Sequence, residues 1–142
     1  MNEQDRELLF IDLCGRLPYG VKCSHPYGIG KLESIAKEEH GIDVTFETPD
    51  DNYYSIDDCK PYLFPMSSMT EEQKIECFKG TDIELDEHNE IWSTFPISNT
   101  DIVLTNLNNW LKVINWLNKK HFDYRGLIEK GLAIDASVLN IY

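Results

Sequence analysis

LPYGVKCSHPYGIGKLESIAKEEHGIDVTFETPDDNYYSIDDCKPYLF, residues Leu17–Phe64, decides the fold. Its clearest element is Ile42–Glu47, where Ile42, Val44 and Phe46 alternate with polar residues. That two-residue period is the mark of a strand with one face buried. Shorter strands are expected at Tyr19–Cys23, Gly30–Ala36, Tyr53–Ile56 and Tyr62–Phe64. Turn chemistry separates them: His25-Pro26-Tyr27-Gly28, His40-Gly41, Pro49-Asp50-Asp51-Asn52 and Asp57-Asp58. Five strands so short and so closely spaced can bury a common face only by curling into a small barrel. A short strand, a one-turn break at Asp57–Lys60 and a closing strand resemble the order of an SH3-like barrel. That shape hosts many unrelated functions.

Outward from this block the period changes. Glu3–Cys14 reads as a helix with Leu9, Phe10 and Leu13 on one stripe, Leu8 widening it, Asn2 as N-cap and Gly15 as its left-handed stop. Residues 65–69 form a linker. Thr70 and Gln73 have the spacing of a capping box, opening a helix to about Lys79 with Ile75 and Phe78 inward and Gly80 ending it. Asp82–Phe95 is expected to hold two strands around Glu87-His88-Asn89, followed by a break at Pro96 and Ser98–Thr100. Val103, Leu107, Trp110, Ile114 and Leu117 then recur at helical spacing, broadened by Leu111 and Val113, from a start between Asp101 and Asn108. Lys119 and Lys120 fall at the helix end, where positive charge is favoured. His121-Phe122 is read as a connector, Asp123 as the N-cap of a last helix over Tyr124–Lys130, and Gly131 as its end. The expected architecture is α+β in one domain, 1–142. Its sub-regions are an N-terminal helix (1–16), a five-stranded SH3-like barrel (17–64) and a mostly helical C-terminal part (65–142).

The chain carries 25 acidic and 13 basic residues, a net charge of −12. Such an excess repels phosphate backbones and argues against general nucleic-acid binding. The charge is uneven. Leu107–Ala133 holds Lys112, Lys119, Lys120, Arg125 and Lys130 against Asp123 and Glu129, so it is +3 and the remainder −15. The same segment holds Trp110 and Trp116. No apolar run approaches the roughly 20 residues of a spanning helix, and the acidic start is unlike a secretion signal, so a cytoplasmic location away from membranes is expected.

Candidate chemistry is sparse. Cys14, Cys23, Cys59 and Cys77 show no C-x-x-C spacing, and are read as reduced and mostly buried. Cys23, His25 and Cys59 fall short of the closed four-ligand set of a structural zinc site, so neither metal nor cofactor is expected. Gly28-Ile29-Gly30-Lys31 lacks Walker spacing and reads as a hairpin turn. His121, Asp123, Tyr124 and Arg125 form the one compact group of capable side chains. In a functional reading His121 carries a proton or contacts phosphate, oriented by Asp123, while Arg125 holds an anion. In a structural reading Asp123 caps, Tyr124 packs and Arg125 pairs with an acid. The structural reading is preferred, because sequence neighbours on a helix do not converge. Tyr19, Tyr27, Tyr53, Tyr54 and Tyr62 crowd the strand half, where they either fill the barrel or line an aromatic groove for a peptide.

Three blocks, RLPYGVK (Arg16–Lys22), KPYLFPMSSMT (Lys60–Thr70) and HFDYRGLIEKGLAIDA (His121–Ala136), resemble a protein family without assigned activity. That family is common in gut Bacteroides and related bacteria, often among prophage and mobile-element genes. The resemblance implies a prophage-associated cytoplasmic protein. The expected function is a non-enzymatic interaction or accessory protein with an unknown protein partner. Two alternatives are an acidic nucleic-acid mimic that blocks a host DNA-binding enzyme, and a small phosphate-handling enzyme using His121 and Arg125.

Overall fold

The computed structural model describes residues 1–48, 52–81 and 100–142, with side chains in the last stretch from residue 107. The protein is α+β. Helix α1 spans Glu3–Arg16, capped by Asn2, whose side chain accepts the Asp5 N–H at 2.7 Å. One helical turn, Leu17–Tyr19, leads into β1 (Lys22–His25), β2 (Gly28–Glu38), β3 (Gly41–Phe46) and β4 (Tyr54–Ser55). A second turn, Ile56–Asp58, leads into β5 (Lys60–Pro65). Helices α2 (Glu71–Phe78) and α3 (Thr100–Lys119) follow, then β6 (Phe122–Asp123) and β7 (Ile134–Asp135).

Among the described residues the sheet has seven strands in the order β4-β3-β2-β1-β5-β6, with β7 also on β5. The first five pair antiparallel, with Ile35 opposite Val44 and Cys23 opposite Pro61. Both late strands pair parallel to β5, with Phe64 opposite Phe122 and Tyr62 opposite Ile134. The order of the first five strands and the turn between β4 and β5 follow the sequence reading, but the strand count and the closure do not. Among the described residues no pairing joins β4 back to β5. The edge of β5 turned away from β1 is taken by β6 and β7 instead, so the C-terminal segment occupies the position a closing strand would need.

Two clusters of buried side chains result. Leu9 and Leu13 of α1 pack on Val21, Leu32, Val44, Phe46, Ile56 and Leu63, and Leu127 and Leu132 complete this core. Cys77, Val113, Leu117 and Phe122 form the second, joined by Phe64, Trp110 and Trp116. Trp116 stacks on Phe122 with centroids 5.8 Å apart, and Phe78 meets Trp110 edge-on. Trp116 therefore holds α3 against β6 and Trp110 holds it against α2, while Leu127 and Leu132 complete the core on the sheet.

Several local expectations are corrected. Helix α1 does not stop at Gly15; it continues to Arg16, and the left-handed residue is Gly20 (φ 68°). Arg16 is held by Asp12 one turn back, which favours the extra turn. Gly15 instead permits close packing, since a Cβ there would lie 3.1 Å from the Asn118 side-chain nitrogen. The capping box forms as expected, with Thr70 and Gln73 each accepting the other's backbone N–H. Ile75, expected inward, is 54% exposed, and Leu107 and Leu111 of α3 are also exposed. The buried residues of α3 among those described are Asn109, Val113, Leu117 and Asn118, with Trp110 alongside. Gly28–Lys31 is strand, not turn, because His25 pairs with Gly28 and the turn falls at Pro26-Tyr27. Residues 124–130 make successive turns and no helix. The strand pair expected over Asp82–Phe95 lies outside the described residues.

Candidate functional site

The segment His121–Arg125 follows directly from the end of α3. His121 takes φ 65°, the left-handed conformation that histidine tolerates better than most side chains. This turn sends the chain into β6, where the His121 carbonyl accepts the Phe64 N–H at 2.8 Å. The His121 ring lies flat on the Tyr142 ring, centroids 3.9 Å apart and planes 10° from parallel. Tyr142 in turn is 42% exposed and anchored by its hydroxyl. Its hydroxyl accepts the Lys22 N–H and donates to the Tyr62 carbonyl, bridging β1 and β5 where their ladder opens. The Lys22 ammonium donates to the Ile141 carbonyl at 2.7 Å.

This packing sets the protonation of His121. Burial, and then the charges of Arg16, Lys120 and Lys22, push its pKa down to about 4 from 6.5. The unfolded chain therefore binds this proton first. The contribution to stability is intact above pH 6.5 and is lost as pH falls toward about 4. Replacing His121 by Phe should flatten the acid limb of stability across that window. Urea midpoints at its two ends would check this, and an unchanged slope would refute it.

The other members of the group point elsewhere. The Asp123 carboxylate is buried and accepts the backbone N–H groups of Leu127 and Ile128, each at 2.9 Å. Those donors lie four and five residues on, so Asp123 organises a loop rather than capping a helix. Such side-chain bonds compete with helical ones, and Gly126 adds a left-handed residue (φ 74°) within the same span. The Tyr124 hydroxyl donates to Asn118 Oδ1 at 2.9 Å. Arg125 lies over the Tyr124 ring, with its Nε 3.4 Å from Asp12 Oδ1. Asp12 is fully buried and also takes Nε and Nη2 of Arg16 at 2.7 and 3.1 Å. Nη2 of Arg16 donates onward to the Phe122 carbonyl at 2.7 Å. His121 and Arg125 are thus not joined in one site.

What His121 does line is a cleft of about 470 Å³. Its apolar walls are Phe64, Phe122 and Tyr142, and its polar rim includes Lys119, Lys120, Thr70 and Gln73, with Ser68 and Ser137 beside them. Sequence reading placed Lys119 and Lys120 only as helix-end charges. Nothing in the sequence ties Tyr142 to Tyr62 or Thr70 to His121.

The tyrosines of the strand half also divide. Tyr62 is buried, and Tyr19 is half-buried beside a second open cleft of about 600 Å³ that holds the Lys31–Glu47 ion pair and is also lined by Glu33 and Lys119. Tyr54 and Tyr27 come together, centroids 6.2 Å apart, on a platform that sequence reading did not assemble. In it His25 stacks on Phe46 at 4.8 Å and meets Tyr54 at 4.8 Å. Tyr27 is 84% exposed and Tyr53 74%.

Comparison of the chain with protein-family models, with curated proteins and with solved structures finds no match. Among the described residues no group of His, Cys, Asp or Glu is arranged to hold a metal ion, and no helix is long and apolar enough to cross a membrane. Cys23 and Cys59, two of the three zinc-type residues, lie in the main core, while His25 belongs to the aromatic platform. Burial pushes the thiols up, Cys59 to about 12 and Cys77 to about 11, so both stay protonated and poorly nucleophilic.

Proposed function

We propose that the protein is a non-enzymatic interaction module carried by mobile elements, and that it docks a protein partner on the aromatic platform of Tyr27, Tyr54 and His25. The observation that carries this reading is a solvent-facing tyrosine, Tyr27, set on stacked rings at the tip of the β1–β2 hairpin. Exposed aromatics on a rigid base supply contact area at little entropic cost, and they are enriched where proteins meet. Tyr53 and Ile29, both exposed, flank the platform residues in the chain and extend the apolar surface on offer. The first five strands, in the order β4-β3-β2-β1-β5 with a helical turn before β5, support reading this half as an SH3-like barrel opened by β6 and β7. Protonated, buried thiols and a neutral, stacked His121 support a binding role over catalysis.

The test is capture from host lysate by the immobilised chain and by a Tyr27→Ala/Tyr53→Ala variant. The parent should retain a specific partner. The variant should bind it about 30-fold or more weakly, the loss typical of a central aromatic contact, with an unchanged melting temperature because both rings are exposed. A parent that retains nothing at micromolar concentration, or a variant that binds as well, would sink the reading.

A further inference from the structure

We propose that the cleft between α2, β6 and Tyr142 binds a small phosphorylated ligand bearing a planar ring, of the chemical class of a mononucleotide. The site shares no residue with the aromatic platform, so the two readings stand or fall separately. In a chain with 25 acidic residues against 13 basic ones, no acid among the described residues lines this cleft, whereas two lysines do, with the neutral His121 beside them. Five other lysines are engaged: Lys31, Lys37 and Lys130 pair with Glu47, Glu7 and Asp5, and Lys22 and Lys112 donate to carbonyls, while Lys60 and Lys79 stand away from this cleft. The ammonium groups of Lys119 and Lys120 have no such partner among the described residues.

Neutral donors stand beside them. In the capping box Gln73 Oε1 accepts the Thr70 N–H and Thr70 Oγ1 accepts the Gln73 N–H. Both acceptors are thereby used, which leaves the Gln73 amide hydrogens and the Thr70 hydroxyl hydrogen to offer at the cleft. The carbonyl end of α3 opposes an anion with about half a charge, which two full ammonium charges outweigh. Lysine ammonium groups bind phosphate as point charges, and the scattered neutral donors beside them suit its several oxygens. Another wall is aromatic: Phe64 and the face of Tyr142 not covered by His121, their centroids 5.8 Å apart, backed by the buried Phe122. A ring attached to the phosphate would lie against that wall. The volume, about 470 Å³, is in the range of small-molecule sites.

The experiment is calorimetric titration of the full chain with each of the four common ribonucleoside monophosphates, with adenosine and with inorganic phosphate. A Lys119→Glu/Lys120→Glu variant is titrated in parallel. At least one monophosphate should saturate the parent, with phosphate and adenosine each binding about tenfold or more weakly. The double charge reversal should weaken that monophosphate about tenfold or more, with the protein still folding cooperatively and its melting temperature lowered by only the few degrees expected of two exposed charges reversed at a helix C-terminus. No saturation by any of the four at millimolar concentration would overturn the proposal, as would equal binding by the variant. Inorganic phosphate binding as tightly as the monophosphates would also overturn it, because the ring would then contribute nothing.

Discussion

Replacing Asp12 by Ala is expected to destabilise the protein by about 3–5 kcal/mol, because it strands a buried guanidinium. Asp12 and Arg16 are both fully buried, and the carboxylate grips the guanidinium through two bonds at 2.7 and 3.1 Å. Arg16 also ties α1 to β6 through the Phe122 carbonyl, and Arg125 closes on the same carboxylate at 3.4 Å. Without Asp12 the fully buried Arg16 guanidinium loses its counter-charge and faces the partly exposed Arg125. For a domain whose total stability is about 5–15 kcal/mol, this removes a large fraction. The intact pair need not be strongly stabilising, since desolvating both charges offsets most of their attraction. An Asp12→Leu/Arg16→Met double variant should therefore recover most of the loss. Urea unfolding of the three proteins would decide it. A single variant within about 1 kcal/mol of the parent would show that the charge is hydrated or relocates freely.

Asp123→Ala should cost about 2–5 kcal/mol, the sum of two backbone N–H groups left without an acceptor. Leu127 is fully buried, so its N–H cannot turn to water without lifting the side chain from the core. Asp123→Asn keeps one acceptor oxygen and should lose about half as much. The effect should appear as faster amide exchange over 124–133 before it appears globally, because that loop crosses the core on the strength of these bonds. Equal exchange in variant and parent would mean that hydrophobic packing of Leu127 and Leu132 alone fixes the loop.

The parts of this protein legible in its sequence are those governed by local chemistry. Alternation at Ile42–Phe46 gives β3; the Thr70–Gln73 spacing gives the start of α2; Asn2 gives the start of α1. In each case the interacting groups lie within a turn or a strand of one another, so the pattern and its cause occupy the same few residues. The neighbours β1-β2-β3-β4 follow from short connections that leave few alternatives, whereas β5 lies beside β1 and not beside β4, the strand just before it in the chain. The residues 121–125 were visible as a group of capable side chains, but their roles were not. Asp123 has the identity of an N-cap, and only the positions of Leu127 and Leu132 in the core show why the chain turns around it instead of coiling.

The sequence by itself thus determined an acidic α+β chain with its strands early and its basic, tryptophan-bearing helix late. Tertiary structure alone decided that the sheet stays open, that β5 gives its free edge to two strands from the far end of the chain, and that Lys119, Lys120, Thr70 and Tyr142 share a cleft. The physical reason is sequence separation. Tyr142 meets Tyr62 across 80 positions and Arg16 meets Phe122 across 106. No periodicity or capping rule reaches that far, and such contacts are chosen by which buried surfaces and hydrogen-bonding groups satisfy one another once the chain has collapsed.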